Sequence, residues 1–63
     1  MIYIQHNRIL IKYYQSIITL EDCLLEIKMN DSIIKIMGQD LQIQYYSFDE
    51  ILVRGQLKQI IFT

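Results

Sequence analysis

Apolar and polar residues alternate along short runs of this chain, and that period of two limits its fold more than any other feature. Fourteen of the 63 residues are isoleucine, and alanine and proline are absent. Isoleucine is stiff at its first side-chain torsion and suits a pleated sheet, whereas alanine is the best helix former. Periodicity and composition together predict a small all-β domain.

Polar pairs between the apolar runs predict the turns. His6-Asn7 and Asn30-Asp31 have the length of two-residue hairpin loops, and Ser47–Asp49 predicts a further turn. We expect one domain over residues 1–63, built as a small antiparallel β-sandwich or β-roll of about seven short strands. A short β-solenoid-like stack is the alternative, because SIIKIMG and EILVRG form a weak internal echo.

The two glycines, Gly38 and Gly55, are interpreted as strand ends that need either a positive φ or close backbone approach. In the last strand, Ile60 lies three positions after Leu57, so an unbroken pleat would place the two side chains on opposite faces. A β-bulge near Lys58-Gln59 would let the apolar residues of this strand face inward together, and these include Phe62.

Alternation also divides the apolar residues between two faces of the strands. The predicted core consists of Ile2, Ile4, Ile9, Ile11, Leu25, Ile27, Ile34, Ile36, Leu41, Ile43, Ile51 and Val53. The opposite face carries seven large apolar residues, which we predict to form an interaction face: Tyr3, Leu10, Leu24, Ile33, Met37, Tyr46 and Leu52. Contiguous exposed apolar area usually marks such a site, and the absence of proline leaves edge strands open to strand addition.

Charge and cysteine content argue against several function classes. The net charge is -1 and the basic residues are scattered, so no basic stripe could neutralise a run of phosphates and nucleic acid is not an expected partner. The single Cys23 cannot form an internal disulfide, which suits a reducing, cytosolic compartment. No apolar run reaches the roughly 18 residues of a spanning helix, so we expect no direct membrane span.

No arrangement of side chains predicts catalysis, a cofactor or a metal. His6 stands in a predicted turn without carboxylate neighbours, and the negative charges before Cys23 disfavour its thiolate. Asp49-Glu50 is a carboxylate pair, but adjacent strand residues point to opposite faces. Gly38 and Gly55 lack the context of a phosphate-binding loop. We therefore expect a protein that is not an enzyme and binds no cofactor.

The order of ILIKYYQSI, IIKIMG, QDLQI, DEILVRG and a final L-x-x-I-x-F resembles the YabP/YqfC family of sporulation proteins, and is most similar to the YqfC branch. The likeness extends over nearly the whole chain. Its pattern is carried, besides Glu50, by Gly38, Leu41, Ile43, Ile51, Val53, Gly55, Leu57, Ile60 and Phe62.

The chain departs from the family pattern in three places. Asn30-Asp31-Ser32 stands where family members commonly have a glycine, and Tyr13-Tyr14 stands where they commonly have a polar pair. A leading segment that members often carry is also missing, which puts in doubt any contact made by that segment.

The resemblance implies a cytoplasmic protein of the mother cell during spore development, peripheral at the forespore membrane and without known catalytic activity. It also implies a membrane protein as partner. From the residues themselves we expect an assembly or adaptor module that pairs with another protein or with itself. A small-ligand or carbohydrate-binding β domain, with tyrosines around a concave sheet, is the alternative.

Overall fold

A computed structural model describes residues 1–63 as one antiparallel sheet of six strands with no helix. No segment therefore forms a helix that could cross a membrane. In chain order the strands are β1 (Ile2–Gln5), β2 (Arg8–Lys12), β3 (Ser16–Leu20), β4 (Leu24–Lys28), β5 (Ile33–Tyr46) and β6 (Glu50–Phe62).

The strands lie in the order β1-β2-β6-β5-β4-β3, and all five neighbouring pairs are antiparallel. The predicted all-β class is confirmed. The solenoid-like alternative is wrong, because successive coils of such a stack would pair in parallel.

The strand count is six and not about seven, because Gly38 and Gly55 lie inside strands and do not end them. At Gly38 an added Cβ would overlap the carbonyl oxygen of Gln56. At Gly55, where φ is 156°, it would lie 2.8 Å from the carbonyl oxygen of Asp40. The predicted close approach of the backbone is therefore present at both glycines. It occurs where β5 and β6 bend, and both strands continue through the bend.

This bend folds the sheet over itself. A straight strand of the length of β5 would measure about 45 Å, whereas the longest dimension of the whole molecule is 26 Å. β5 and β6 therefore bend together. The first layer contains β1, β2 and residues 50–54 and 42–46; the second contains β3, β4 and residues 33–38 and 57–62. Two layers from one antiparallel sheet form the predicted β-roll.

The core lies between the two layers, and eleven buried side chains form one cluster there: Ile9, Ile11, Tyr14, Leu25, Ile27, Met29, Ile34, Ile36, Leu41, Ile51 and Val53. Ile2 and Ile43 are partly buried against it, as are Leu57 and Ile60. The prediction is wrong for Ile4, which is 57% exposed because β1 is an edge strand with no neighbour to cover it. The predicted core also omits Tyr14 and Met29, which are both buried.

The predicted bulge in the last strand is confirmed at Lys58. Met37 pairs with Gln59 and Gly38 pairs with Leu57, so Lys58 has no partner on β5. Leu57 and Ile60 consequently both pack against the core. Phe62 does not: it pairs with buried Ile34 but is 58% exposed at the end of the strand, so its predicted inward packing is wrong.

The predicted turns are present and define the strand ends. Asn7 has a φ of 59°, in the left-handed region that asparagine tolerates. The Met29 N–H donates to the Ser32 carbonyl at 2.8 Å and closes the turn at Asn30-Asp31. Residues 47–49 connect β5 to β6.

Candidate interaction surface

A row of four apolar side chains crosses the outer face of the first layer. Tyr3 pairs with Leu10, Leu10 with Leu52, and Leu52 with Tyr45. Directly opposed residues on neighbouring strands point to the same side of a sheet. Tyr3 and Tyr45 are about half exposed, and Leu10 and Leu52 are half-buried between them. We call Tyr3, Leu10, Leu52 and Tyr45 the outer row.

Tyr46 does not belong to this surface, although alternation predicted that it would. Gln44 is an unpaired bulge residue between Ile43 and Tyr45, and it reverses the alternation that follows. Tyr46 therefore pairs with fully buried Ile51 on the core side of the sheet. Its ring meets that of Tyr14 edge to face, with centroids 6.3 Å apart.

The other three predicted residues lie on the second layer. Leu24 pairs with Met37 on its outer face, and Ile33 pairs with Lys28 near one end. Because the sheet folds at the bend, the outer faces of the two layers point in different directions. The predicted seven-residue face is thus divided: Tyr3, Leu10 and Leu52 lie together, apart from Leu24, Ile33 and Met37.

Two arginines stand beside the outer row. Arg8 pairs directly with Arg54 across β2 and β6, and Gln5 and Gln42 flank them on β1 and β5. Neither guanidinium lies within 4.0 Å of a carboxylate, since the only ion pair joins Lys12 Nζ to Glu50 Oε1 at 3.6 Å. Directly opposed like charges destabilise a sheet. A chain with net charge -1 therefore carries a local excess of positive charge at this surface.

Three residues of the outer row lie in an open groove of about 340 Å³, which is lined by Tyr3, Gln5, Arg8, Leu10, Lys12 and Leu52. The Lys12 ammonium also lies 5.9 Å from the centre of the Tyr3 ring, within cation–π range. An apolar floor flanked by the Arg8 guanidinium and the Lys12 ammonium fits an apolar side chain that has a carboxylate near it.

The loop that follows β5 is held by Tyr14. The Tyr14 hydroxyl donates to the Ser47 carbonyl oxygen at 2.5 Å, and the Glu50 N–H donates to Ser47 Oγ at 3.2 Å. Burial of the ring, with smaller contributions from Tyr46 and Asp49, raises the pKa of Tyr14 from 10.0 to about 12. Through this hydrogen bond Tyr14 holds the turn between β5 and β6, which begins two residues after Tyr45 of the outer row.

The residues considered for catalysis or metal binding are dispersed in the fold. His6 lies in the β1–β2 turn and Cys23 is exposed between β3 and β4. Asp49 accepts a hydrogen bond from Ser47 Oγ at 3.1 Å within the turn, while Glu50 pairs with Lys12. No three of the chain's histidine, cysteine, aspartate and glutamate side chains lie together as a metal site would require.

Exposed aromatic residues at the loop end were missed by the sequence reasoning. Phe48 is 88% exposed and Tyr13 is 64% exposed. The Tyr13 N–H donates to the Asp49 carbonyl oxygen at 2.5 Å, which brings the two loops together. Among the five tyrosines, Tyr14 is buried in the core, Tyr46 packs against its ring but is 59% exposed, Tyr13 lies at this loop end, and Tyr3 and Tyr45 lie in the outer row.

Comparison with protein-family models, with curated proteins and with solved structures found no match in any of the three. The resemblance to the YabP/YqfC family therefore stays a prediction.

Proposed function

We propose that this protein is a non-enzymatic assembly or adaptor module that binds another protein through the outer row. The observation that carries the proposal is the alignment of four apolar side chains on one sheet face beside two arginines that have no acidic partner. Exposed apolar patches with aromatic residues and arginine are typical of protein interfaces.

The arginine pair favours a partner with a carboxylate. In the free protein, like charges opposed across β2 and β6 cost about 0.2–1 kcal/mol. An aspartate or glutamate on the partner would accept charge-assisted hydrogen bonds from the guanidinium groups and remove that repulsion. The pair of opposed arginines, which destabilises the free sheet, would therefore stabilise the complex.

The biological setting of the proposal is supported by the family resemblance alone. It is the mother-cell cytoplasm during spore development, with the protein held at the forespore membrane by a membrane protein. The segment bound would be a cytoplasmic stretch of that partner with apolar residues next to an acidic one.

The proposal is tested by affinity capture of the tagged chain from its host during growth and sporulation, with detergent-solubilised membranes included. Leu52→Glu places a carboxylate in the outer row near Arg8, Lys12 and Arg54, so we expect it to remain folded while it repels an acidic partner. Met37→Glu is the matched control, because Met37 lies between Lys35 and Lys58 on the second layer.

We expect a stoichiometric membrane protein to be recovered during sporulation with the wild type and with Met37→Glu, and to be lost with Leu52→Glu. Equal recovery with all three chains would show that the outer row is not the binding surface. Recovery of the tagged chain alone in every growth phase would remove the membrane-protein partner from the proposal.

A further inference from the structure

The sheet is open, and its two edge strands differ in regularity. β1 approaches no strand other than β2, so the edges do not close on one another. β3 is interrupted by a bulge at Ile18, a feature that hinders pairing with another chain. β1 has an unbroken register and contains neither a charged residue nor proline. Of the two edges, β1 is therefore the one open to strand addition.

The direction of the free backbone groups on β1 follows from its first residue pair. Met1 and Lys12 exchange two hydrogen bonds, at 2.8 and 3.2 Å. Bonded and non-bonded pairs alternate along an antiparallel ladder, so the next pair, Ile2 with Ile11, is a non-bonded one. The same holds for Ile4 with Ile9. The N–H and C=O groups of Ile2 and Ile4 consequently point away from β2, towards the open edge.

We infer that β1 pairs antiparallel with β1 of a second copy, about a two-fold axis that passes through Tyr3. In this register Ile2 of each copy lies opposite Ile4 of the other. Both of these pairs present outward-pointing groups and form hydrogen-bonded pairs. The edge is thus self-complementary, as an interface with two-fold symmetry must be.

The side chains fit the same register. Ile4, which is 57% exposed on the core side, would pack against Ile2 of the second copy and extend the apolar layer. Tyr3 would lie directly opposite Tyr3 of the second copy in a non-bonded pair, where side chains approach most closely. The two outer rows would then join end to end across the dimer.

This inference deepens the proposed function and rests on it for its biological use, because the joined rows would offer a partner a surface twice as long. The contact itself needs no partner protein, so it can be tested alone. An edge of four residues makes a small interface, and interfaces below about 1,000 Å² are weak or transient. Association should therefore depend on concentration.

Analytical ultracentrifugation of the purified chain from about 10 µM to about 1 mM tests the pairing. We expect the average mass to rise from 7.6 kDa towards twice that value. Tyr3→Lys and Tyr3→Glu should each stay monomeric, because like charges would meet at the axis, whereas an equal mixture of the two should associate. A constant mass for the wild type, or a mixture no heavier than its components, would overturn the inference.

Ile4→Lys and Leu20→Lys form a matched pair that identifies the edge. Ile4 on β1 and Leu20 on β3 are 57% and 55% exposed, so both variants should give folded chains by circular dichroism. We expect Ile4→Lys to abolish association and Leu20→Lys to leave it unchanged; the reverse would place the contact on β3 and overturn the inference. Leu52→Glu should keep the dimer while losing the partner protein, which separates this contact from the proposed function.

Discussion

At the residue scale, Tyr14 is the only buried side chain with a hydroxyl, amide or charged group. Its raised pKa makes the stability of the fold depend on pH in the alkaline range. Between pH 10 and about 12 the unfolded chain releases the Tyr14 proton while the folded chain retains it. The unfolded state then binds fewer protons, so the free energy of unfolding must fall as the pH rises through this window.

We expect Tyr14→Phe to lose less stability than the wild type between pH 10 and 12, because the variant lacks this ionisable group. Urea denaturation at several pH values across this window measures the effect. The two chains differ only at this position, so the difference between their pH profiles reports the effect of Tyr14. Parallel pH profiles would contradict the assignment.

Arg54 gives a second prediction at the residue scale. Arg54→Gln removes the charge opposite Arg8, so we expect the free energy of unfolding to increase by up to about 1 kcal/mol at low salt. The gain should disappear near 1 M salt, where charges on the surface are screened. Lys58→Gln, at an unpaired bulge position, is the control and should change stability little. A less stable Arg54→Gln chain would show that the two arginines do not repel.

At the element scale, the bulges of β5 and β6 decide which side chains reach the core. Gln44 is an extra residue on β5, and without it Tyr45 would still lie opposite Leu52 and Tyr46 opposite Ile51. We expect deletion of Gln44 to preserve the fold at a cost of about 1 kcal/mol, the usual size of a single change. Thermal denaturation followed by circular dichroism measures the cost.

Deletion of Lys35 is the control, since Lys35 pairs with residues on both neighbouring strands. Losing it would move the residues on one side of the deletion to the opposite face, which should unfold the chain. If the two deletions destabilised the chain equally, Gln44 would not be a removable bulge residue.

The bulges at Lys58 and Gln44 also show how far sequence reasoning reaches. The one at Lys58 was predictable, because apolar Leu57 and Ile60 lie an odd number of residues apart and both needed burial. The one at Gln44 was not, since it is followed by two tyrosines of equal apolarity and the pattern does not say which of them faces outward. The positions of Gly38 and Gly55 within strands were not predictable either, because a glycine at a bend and a glycine at a strand end leave the same local signal in the sequence.

At the scale of the whole molecule, both layers share one core and two strands pass through both. Neither layer has a core of its own, so we expect unfolding in a single cooperative transition. Ile11→Ala in the first layer and Ile27→Ala in the second should each lower the free energy of unfolding by about 3 kcal/mol. Tyrosine fluorescence and circular dichroism should report the same midpoint in each variant.

Ile4→Ala is the control, because Ile4 is largely exposed and should lose far less. Two separate transitions in either core variant would mean that the layers fold independently.

The folding-over of the sheet explains why the residues of the predicted interaction face are divided between two surfaces. A period of two assigns each residue to a face of its own strand, but it does not contain the bend that turns one sheet face into two separate surfaces.

The position of β6 within the sheet has a consequence for how the chain is made. β6 is the last of the six strands to be synthesised, yet it lies between β2 and β5 and joins the two ends of the sheet. During translation β1 and β2 can form a local hairpin, but their apolar side chains stay uncovered until residues 50–54 leave the ribosome. The nascent chain therefore exposes apolar surface until β6 is available to pair, and its need for chaperones should persist until this strand has been made.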